Sequence, residues 1–437
     1  MGKKGSTGNG VSRRQFIKAA GAGSAVAAGA GLGLFGGKAP IFAQERTVHV
    51  LQLSNFAPAI DVQLKAMAEE YGKAHKCTMK MEFINLNDIL PRAIASVEAK
   101  TGPDVVLLSW NQAQLFGAAM ADHADVIKAL GGNKIHKFNR DGVMVKGVYR
   151  GVPYYNIGSA MTYNMSMLKN AGITKLPDTY DDLLKVGTTM KKAGLPVGWC
   201  LGHTLGDGAF GNYPIIWSWG GAEVDEKGNV IINSKETKMA LEWFRQFWND
   251  ACDPGGTAWN DSSNNQAFLG ETVSIVLNAA SIYVKARNDK NDKLADVIKH
   301  TVAPAGPAGR YQLIQPYNHH VMGYSKNVTL AKAWLTFLGQ KAQYERAFRA
   351  GRGFIQGITP AWDTHPMWKE DAQMEPYKDL TKYGRTMGWK GPYGRGASEV
   401  QAKYLIADMM ARSLNDGSDS AMKWAEAEMK LVYANKS

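Results

Sequence analysis

The sequence contains several residue patterns that could do chemistry, but none has the surroundings that its chemistry requires. Residues 31–36 read Gly-Leu-Gly-Leu-Phe-Gly, the spacing of a dinucleotide-binding loop, but no predicted strand precedes them. Asp181 and Asp182 are adjacent carboxylates at a predicted helix start, where acidic residues are common, so they do not indicate glycosidase chemistry. The signatures C-x-x-C, H-E-x-x-H, G-x-x-x-x-G-K-[ST] and G-x-S-x-G do not occur. The sequence therefore gives no support to redox, metalloprotease, NTPase or serine-hydrolase activity.

Cysteine and histidine residues offer little metal chemistry. Cys77, Cys200 and Cys252 are too few for a four-cysteine zinc site. Their spacing leaves both a Cys200–Cys252 disulfide and three buried thiols open. Adjacent histidines rarely converge on one ion, so we interpret His319 and His320 as ordinary loop residues. We predict neither a metal nor a cofactor.

Strand and helix patterns alternate along the chain and must position whatever site it has. Residues 47–53 and 78–84 alternate as strands do, and apolar residues recur at helical spacing from Leu64 to Tyr71. Residues 105–108 form a continuous apolar run, which is typical of a strand buried on both faces of a parallel sheet. Alternating strands and helices predict an α/β fold. A chain of 437 residues is too long for one core, so we expect two or three domains.

Other elements are predicted from helix-start signals and periodicity. We expect Asn87 to be the N-cap of a helix that follows the second strand, and Thr179 or Asp178 to be the N-cap of another. Helices are also predicted over residues 239–248 and 331–338 and from residue 399 onward, and a strand over 271–277.

The first 43 residues have the plan of an export signal. Arg13 and Arg14 precede a weakly apolar Ala/Gly stretch at 19–35, and Ala43 is a small residue suited to cleavage. The paired arginines predict the twin-arginine route, which exports folded proteins. This segment holds six lysines and arginines and no acid, so its removal lowers the net charge from +12 to +6. Because the remainder has no block of basic residues, we expect no nucleic-acid partner.

Three stretches combine motifs in a specific order. The first is the opening strand–helix–strand unit, which leads to Thr-Gly-Pro-Asp-Val-Val at 101–106. The second comprises Gly-Val-Pro-Tyr-Tyr-Asn at 151–156, Met-Thr-Tyr-Asn at 161–164 and Leu-Pro-Asp-Thr-Tyr-Asp-Asp-Leu at 176–183. The third is Phe-Leu-Gly-Glu-Thr at 268–272, which runs into an apolar segment ending at Asn278. This combination resembles the extracellular solute-binding proteins of ABC importers, in the group that takes up sugars and oligosaccharides.

The resemblance implies an α/β fold with two lobes, a hinge of two or three crossing strands, and a ligand cleft between the lobes. One lobe would combine residues 45–153 and 301–350, and the other would combine 154–300 and 351–437. The protein would be a periplasmic monomer without enzymatic activity. It would close on a small solute, a sugar in this group, and deliver it to the transmembrane permease subunits.

The residues expected to contact a sugar are amide and aromatic side chains just beyond strand ends, where open α/β sheets bind ligands. Amides pair with hydroxyl groups and rings stack on C–H faces, so such a site needs no net charge. The candidates are Asn55, Trp110, Asn111, Gln112, Tyr154, Tyr155, Asn156, Trp217, Trp219, Asn278, Tyr317, Asn318 and Trp389. Isolated aromatic residues more often belong to the core. If Trp217 and Trp219 lie on a strand, at most one of them faces the cleft.

Two alternatives stay open. The same fold could bind a polyol, a glycerol phosphate ester or another small solute. A phosphate would require converging arginine side chains, for which Arg352, Arg385 and Arg395 are the candidates. The other alternative is an exported enzyme, because proteins exported by the twin-arginine route often carry redox cofactors.

Overall fold

The computed structural model describes residues 46–378 and 380–434. The export-signal prediction, with Arg13 and Arg14, lies outside the described residues. The strands are β1 Arg46–Leu53, β2 Cys77–Ile84, β3 Val105–Ser109, β4 Met144–Val145, β5 Val148–Tyr149, β6 Val152–Gly158, β7 Ala160–Asn164, β8 Val197–Gly198, β9 Ile275–Asn278, β10 Ile298–Thr301, β11 Ala305–Gly306, β12 Gly309–Arg310, β13 Gln312–Val321 and β14 Gly384–Arg385.

Helices surround these strands, and most are amphipathic. The α-helices are α1 Ala59–His75, α2 Leu86–Ala99, α3 Ala113–Phe116, α4 Ala124–Ala129, α5 Lys137–Val143, α6 Met165–Asn170, α7 Tyr180–Lys192, α8 Asp207–Ser218, α9 Lys235–Ala251, α10 Ser263–Leu269, α11 Ser281–Asn288, α12 Asp292–Val297, α13 Val328–Gly339, α14 Lys341–Ala350, α15 Pro360–Asp363, α16 Met367–Glu370, α17 Leu380–Tyr383, α18 Arg395–Ala402, α19 Leu405–Asp416 and α20 Ser418–Ala434. Within the described ranges, no helix is both long enough and apolar enough to cross a membrane.

Two sheets form the framework of the fold. The larger sheet has the order β14-β13-β3-β1-β2, with β6 paired to β13, and the smaller has the order β10-β7-β9-β8. β1 is parallel to β2 and β3, whereas β13 is antiparallel to β3 and β6. All five residues of β3 are buried, as the continuous apolar run predicts. The mixture of parallel strands and covering helices confirms the predicted α/β class.

The chain crosses between the two sheets at specific points. β6 belongs to the larger sheet and β7 to the smaller, and only Ser159 separates them. β10 and β13 make a second connection through residues 302–311. The Asn156 and Gln356 backbones also exchange hydrogen bonds of 2.8 Å, which fastens β6 to the segment after α14. These connections place β6 and β13 side by side at the junction of the sheets.

Two helix N-termini test the N-cap residues predicted from the sequence. The Thr179 hydroxyl accepts a 3.1 Å bond from the Asp182 N–H, and Asp182 accepts in return from the Thr179 N–H, which confirms Thr179 as the N-cap of α7. The prediction that Asn87 caps α2 is wrong, because Asn85 is the cap and accepts from the Asn87 N–H at 2.9 Å. The chain leaves β2 at Ile84, so the extended residue before the helix is Asn85, and the Asn87 side chain is available for other contacts.

Two further expectations differ from the structure, and of the two alternatives for the cysteines the buried thiols occur. The strand predicted over residues 271–277 is shorter, Ile275–Asn278, because Glu271 has a φ of 57° and belongs to the turn after α10. Cys77, Cys200 and Cys252 are buried free thiols, so the Cys200–Cys252 pairing does not occur. His319 and His320 lie on β13 rather than in a loop.

The two histidines are structural groups of the larger sheet. The Nε2 of His319 is 2.7 Å from the Gln52 amide nitrogen, and the Nδ1 of His320 is 2.8 Å from the Arg150 carbonyl oxygen. Burial lowers the pKa of each imidazole to about 3, so both are neutral at physiological pH.

Candidate functional site

A small cavity lies between elements that belong to both sheets. Its volume is about 30 Å³. The lining residues come from the loop after β1, the start of α2, the crossing strands β6 and β13, the start of α8 and the end of β9: Phe56, Leu86, Ile157, Gly206, Asp207, Phe210, Asp261, Asn278, Ala279, Ser281, Gln315, Tyr317 and Phe354. Such a volume holds a water molecule or two, whereas sites for small ligands measure about 300–1,000 Å³. The lining elements must therefore separate before a sugar-sized molecule can enter.

The crossing strands present one face to this cavity. Tyr155 pairs with Tyr317, and Ile157 pairs with Gln315, across the antiparallel β6–β13 ladder. Alternate residues of a strand share a face, so these four side chains point the same way. The Tyr155 and Tyr317 rings lie 4.8 Å apart. Burial raises the pKa of both phenols well above the usual value, so both hydroxyl groups remain protonated and able to donate.

Several polar atoms at or next to the cavity lack a partner within the described part of the chain. Gln315 Nε2 and Asp207 Oδ2 belong to lining residues, and Tyr155 Oη and Asn55 Oδ1 belong to residues that adjoin them. Gln315 and Tyr155 are each 1% exposed. Buried polar atoms are normally hydrogen-bonded, so a group of unpaired donors and acceptors marks a place where a ligand or ordered water completes the bonding.

Two carboxylates stand together at the edge of the cavity. Asp261 Oδ1 accepts hydrogen bonds from the Gly206 and Asp207 N–H groups at 3.1 and 2.8 Å. Burial, and then the charge of Asp261, raise the pKa of Asp207 well above its usual value. Burial also raises the pKa of Asp261. Both shifts favour the protonated, uncharged form of each carboxyl.

A third carboxylate, Asp61, holds the loop after β1. Its two oxygens accept from the Asn55 amide nitrogen at 2.6 Å and from the Asn55 backbone N–H at 3.1 Å. Burial outweighs these bonds and raises the pKa of Asp61 to about 6. Asn55, next to the cavity residue Phe56, is thus fixed in place while its Oδ1 stays unpaired.

The Asn87 amide connects elements on the two sides of the cavity by hydrogen bonds. Its Oδ1 accepts from the Leu205 N–H at 3.2 Å, and its Nδ2 donates to Asp261 Oδ2 at 3.5 Å. Asn87 belongs to α2, which covers the larger sheet, whereas Leu205 and Asp261 lie in loops near α8 and α10. This amide therefore ties together the two sides of the cavity.

The structure brings four of the sequence-predicted residues to the cavity. Asn278 and Tyr317 line it, Asn55 adjoins it, and the Tyr155 ring packs against Tyr317. The Asn278 amide is itself fully used, because its Nδ2 donates to Asn265 Oδ1 at 2.6 Å and its Oδ1 accepts from the Ser281 hydroxyl at 2.9 Å.

Four other predicted residues form a separate buried cluster at the end of β3. They are Trp110, Asn111, Gln112 and Asn318, all at most 3% exposed. Asn318 donates to the Trp110 carbonyl at 2.9 Å, and Asn111 donates to the Gly394 carbonyl at 3.3 Å. The cluster connects β3 and β13 to the start of α18, and none of the four lines the cavity.

Tyr154 and Asn156 alternate with Tyr155 and therefore project from the opposite face of β6. The Tyr154 ring packs against Tyr344, with a centroid distance of 5.7 Å. The Asn156 amide exchanges hydrogen bonds of 2.7 and 3.2 Å with the Asn139 amide. The structure places both residues in packing between elements rather than at the cavity.

The other three predicted tryptophans, Trp217, Trp219 and Trp389, pack outside the cavity. Trp217 lies in α8 and Trp219 follows it, so the argument from strand alternation does not apply to them. A segment whose residues are all buried has no hydrophobic periodicity that distinguishes a strand from a helix. Here the segment forms a helix. Trp217 contacts Trp389 at a centroid distance of 5.9 Å, and Trp219 contacts Trp243 at 5.1 Å.

The sequence analysis did not predict most of the residues that line the cavity. Asp207, Phe210 and Asp261 follow glycine-rich or polar turns, and Gln315 and Phe354 lie in the crossing segments. The available signal was Leu-Gly-Asp-Gly at 205–208, a flexible approach to a helix start. Across the described ranges, no group of three or more histidine, cysteine, aspartate or glutamate side chains is arranged to hold a metal ion.

Comparison with known proteins shows the family and the fold. The family described as bacterial extracellular solute-binding protein matches residues 66–376. Maltose-bound MalE3 of T. maritima superposes with a TM-score of 0.75 at 18% identity, covering 88% of this chain and 100% of that chain. No curated protein matches the chain.

Two further solved structures are similar. The GacH receptor of Streptomyces glaucescens, solved unliganded and with acarbose, has a TM-score of 0.75 at 16% identity and covers 90% of this chain and 100% of its own. A solute-binding protein of Agrobacterium vitis S4 with bound D-mannitol has a TM-score of 0.73 at 15% identity and covers 88% and 98%. These similarities confirm the predicted two-lobed binding-protein fold.

Proposed function

Because the chain belongs to the bacterial extracellular solute-binding protein family, we propose that it captures a carbohydrate or polyol in the cavity between its sheets and delivers it to an ABC permease. The observation that carries this proposal is the convergence of β6 and β13. These strands bring the Tyr317 ring and the unpaired Gln315 amide to a cavity that is also lined by phenylalanines.

The cavity chemistry suits a hydroxyl-rich solute. Phe56, Phe210 and Phe354 offer flat apolar faces for C–H groups, and Gln315 and Asp207 offer one donor and one acceptor without partners. Relatives of the same fold are described with maltose, acarbose and D-mannitol. A sugar and a polyol are therefore both supported as the class of solute.

A phosphate ester has less support. No lysine or arginine lines the cavity. Arg352 donates to Asn288, the Arg385 guanidinium lies over the Trp389 ring, and Arg395 pairs with Glu399. The three arginines proposed as phosphate ligands are thus occupied elsewhere in the molecule.

Binding would require a hinge motion. The cavity volume of about 30 Å³ is roughly a tenth of the smallest common ligand sites, so the two sides must part and then close on the solute. We retain the lobe assignment of residues 45–153 with 301–350 and 154–300 with 351–437. The exchange of the chain between sheets at Ser159 and over residues 302–311 supports hinge segments close to these limits.

The family description implies an exported protein. We propose that residues 1–43 direct it to the periplasm by the twin-arginine route, and that the protein acts there as a monomer. The family and its structural neighbours are binding proteins, so we propose no reaction for this chain.

A ligand panel tests the function. The purified protein, freed of any co-purified solute by unfolding and refolding, is titrated with neutral sugars, polyols and sugar phosphates while its melting temperature is followed. A ligand at 100 times its Kd stabilises the folded state by about 2.7 kcal/mol, which raises the melting temperature measurably. Saturable stabilisation by a neutral sugar or polyol is expected. A response confined to phosphate esters, or to none of the compounds, would overturn the proposal.

A further inference from the structure

The two carboxylates at the cavity have no cationic neighbour there. Asp207 and Asp261 both line it, and no lysine, arginine or histidine does so. Asp261 is 8% exposed, and two backbone N–H groups fix the position of its Oδ1. Burying an uncompensated carboxylate is costly, and burying two together is more so. Such an arrangement is expected where a cation completes the site.

Unpaired atoms show where that cation would lie. The Oδ2 of Asp207 is closed off from solvent and has no partner within the described residues. The Gln315 side chain, 1% exposed, lines the same cavity with its Nε2 unpaired. An unpaired carboxyl oxygen thus accompanies an unpaired amide donor in one cavity. A ligand with an ammonium group and a hydroxyl group satisfies both.

We propose that the solute carries a protonated amine, as amino sugars and amino polyols do, and that this ammonium group binds against the Asp207 and Asp261 carboxylates while a neighbouring hydroxyl oxygen accepts from Gln315. This inference rests on the proposed function, since it names the class of solute that the same cavity takes. Hydrogen bonds between an ammonium group and a carboxylate are about twice as strong as neutral ones, so the pair would discriminate amines from the corresponding alcohols.

The other groups that face the two carboxylates carry no charge at neutral pH. Burial raises the pKa of Tyr317, of Cys200 and of Tyr404, and the negative charge of the carboxylates adds to each shift. The remaining neighbours are hydrogen-bonding groups, which lower the carboxylate pKa values and do not titrate: Asn87, Thr204 and Asn264.

The two carboxyls should respond to the charge of the ligand. Burial raises the pKa of Asp207 and of Asp261, which favours their protonated forms. An ammonium group that binds between them favours their charged forms, whereas a neutral sugar in the same cavity does not.

The test is calorimetric titration of the purified protein with matched pairs: glucosamine and glucose, galactosamine and galactose, and 1-amino-1-deoxysorbitol and sorbitol. We expect at least one amine to bind tenfold or more tightly than its neutral partner. Asp207→Asn should abolish the preference, whereas Asp181→Asn, an exposed carboxylate on α7, should retain it.

The outcomes separate the two proposals. If neutral partners bind as tightly as the amines in every pair, the inference is overturned and the proposed function stands. If neither class binds, both are overturned. The matched pairs are compared on the unaltered protein, so the test holds even if Asp207→Asn fails to fold.

Discussion

Buried polar side chains in this molecule fall into two kinds, those with complete hydrogen bonds and those with an unpaired atom. Asn156 and Asn278 have partners for both ends of their amides. Gln315 and Tyr155 each keep one unpaired atom beside the cavity. Groups of the first kind hold elements together, and groups of the second kind cost stability unless a ligand or water meets them. Substitutions at the first kind should therefore lower the free energy of unfolding, and substitutions at the second kind should mainly weaken solute binding.

Tyr155→Phe should weaken solute binding without destabilising the fold. The variant removes an unpaired buried hydroxyl and leaves the ring packed against Tyr317, so the free energy of unfolding should stay within about 0.5 kcal/mol of the starting protein or rise. A lost hydrogen bond to the solute should raise Kd by about three- to tenfold. Urea unfolding and calorimetric titration measure the two quantities.

Tyr163→Phe is the matched control for this prediction. Tyr163 is equally buried, on β7, but its hydroxyl accepts from Thr301 at 3.3 Å. This variant should lose about 1 kcal/mol of stability and keep its affinity. A Tyr155→Phe protein that is clearly less stable but binds normally would show that the hydroxyl is structural.

At the scale of elements, sequence reasoning succeeded where a local pattern determines the structure. The apolar run of β3 and the Thr179 capping box follow from neighbouring residues alone, and both occur as predicted. The Asp207–Asp261 pair does not, because its two members are 54 residues apart and meet only when α8 and the loop before α10 pack together. The Trp217 helix was missed for another reason, since full burial removes the periodicity that distinguishes helices from strands.

The C-terminal helix α20 provides a pH-dependent prediction. The Tyr433 hydroxyl on this helix donates to the carboxylate of Glu223, which is 2% exposed. Burial raises the pKa of Glu223 from 4.5 to about 7. Between these two pH values the folded protein holds a proton that the unfolded chain has lost, so this group lowers stability as the pH rises through that range.

Glu223→Gln removes the titration while keeping an acceptor for Tyr433. The variant should match the starting protein near pH 4.5 and exceed its free energy of unfolding at pH 8 by up to about 3 kcal/mol. Urea unfolding at the two pH values measures the difference, with the exposed Glu226→Gln as the control. A Glu223→Gln protein less stable than the original at pH 8 would contradict the assigned protonation.

At the scale of the whole molecule, binding requires the two sides of the cavity to part and close. The Asn87 amide is one direct link between them, through the Leu205 N–H and Asp261. Asn87→Ala removes this link and should destabilise the closed form, so the solute should dissociate about tenfold faster. Stopped-flow fluorescence measures the rate.

Asn85→Ala provides the comparison for Asn87→Ala. It removes the N-cap of the same helix, which should cost about 1 kcal/mol of stability and leave the dissociation rate unchanged. Equal dissociation rates for the Asn87→Ala variant and the starting protein would mean that this amide does not hold the closed form.

The central claim is that the solute binds in the cavity where β6 and β13 meet. The most direct measurement is calorimetric titration of three proteins with the best ligand from the panel: the unaltered chain, Phe210→Ala and Phe116→Ala. Phe210 lines the cavity, whereas Phe116 is a partly buried phenyl ring on α3 outside it. We predict that Phe210→Ala raises Kd at least about tenfold while Phe116→Ala leaves it unchanged. An unchanged Kd for a folded Phe210→Ala protein would place the binding site elsewhere and contradict the account.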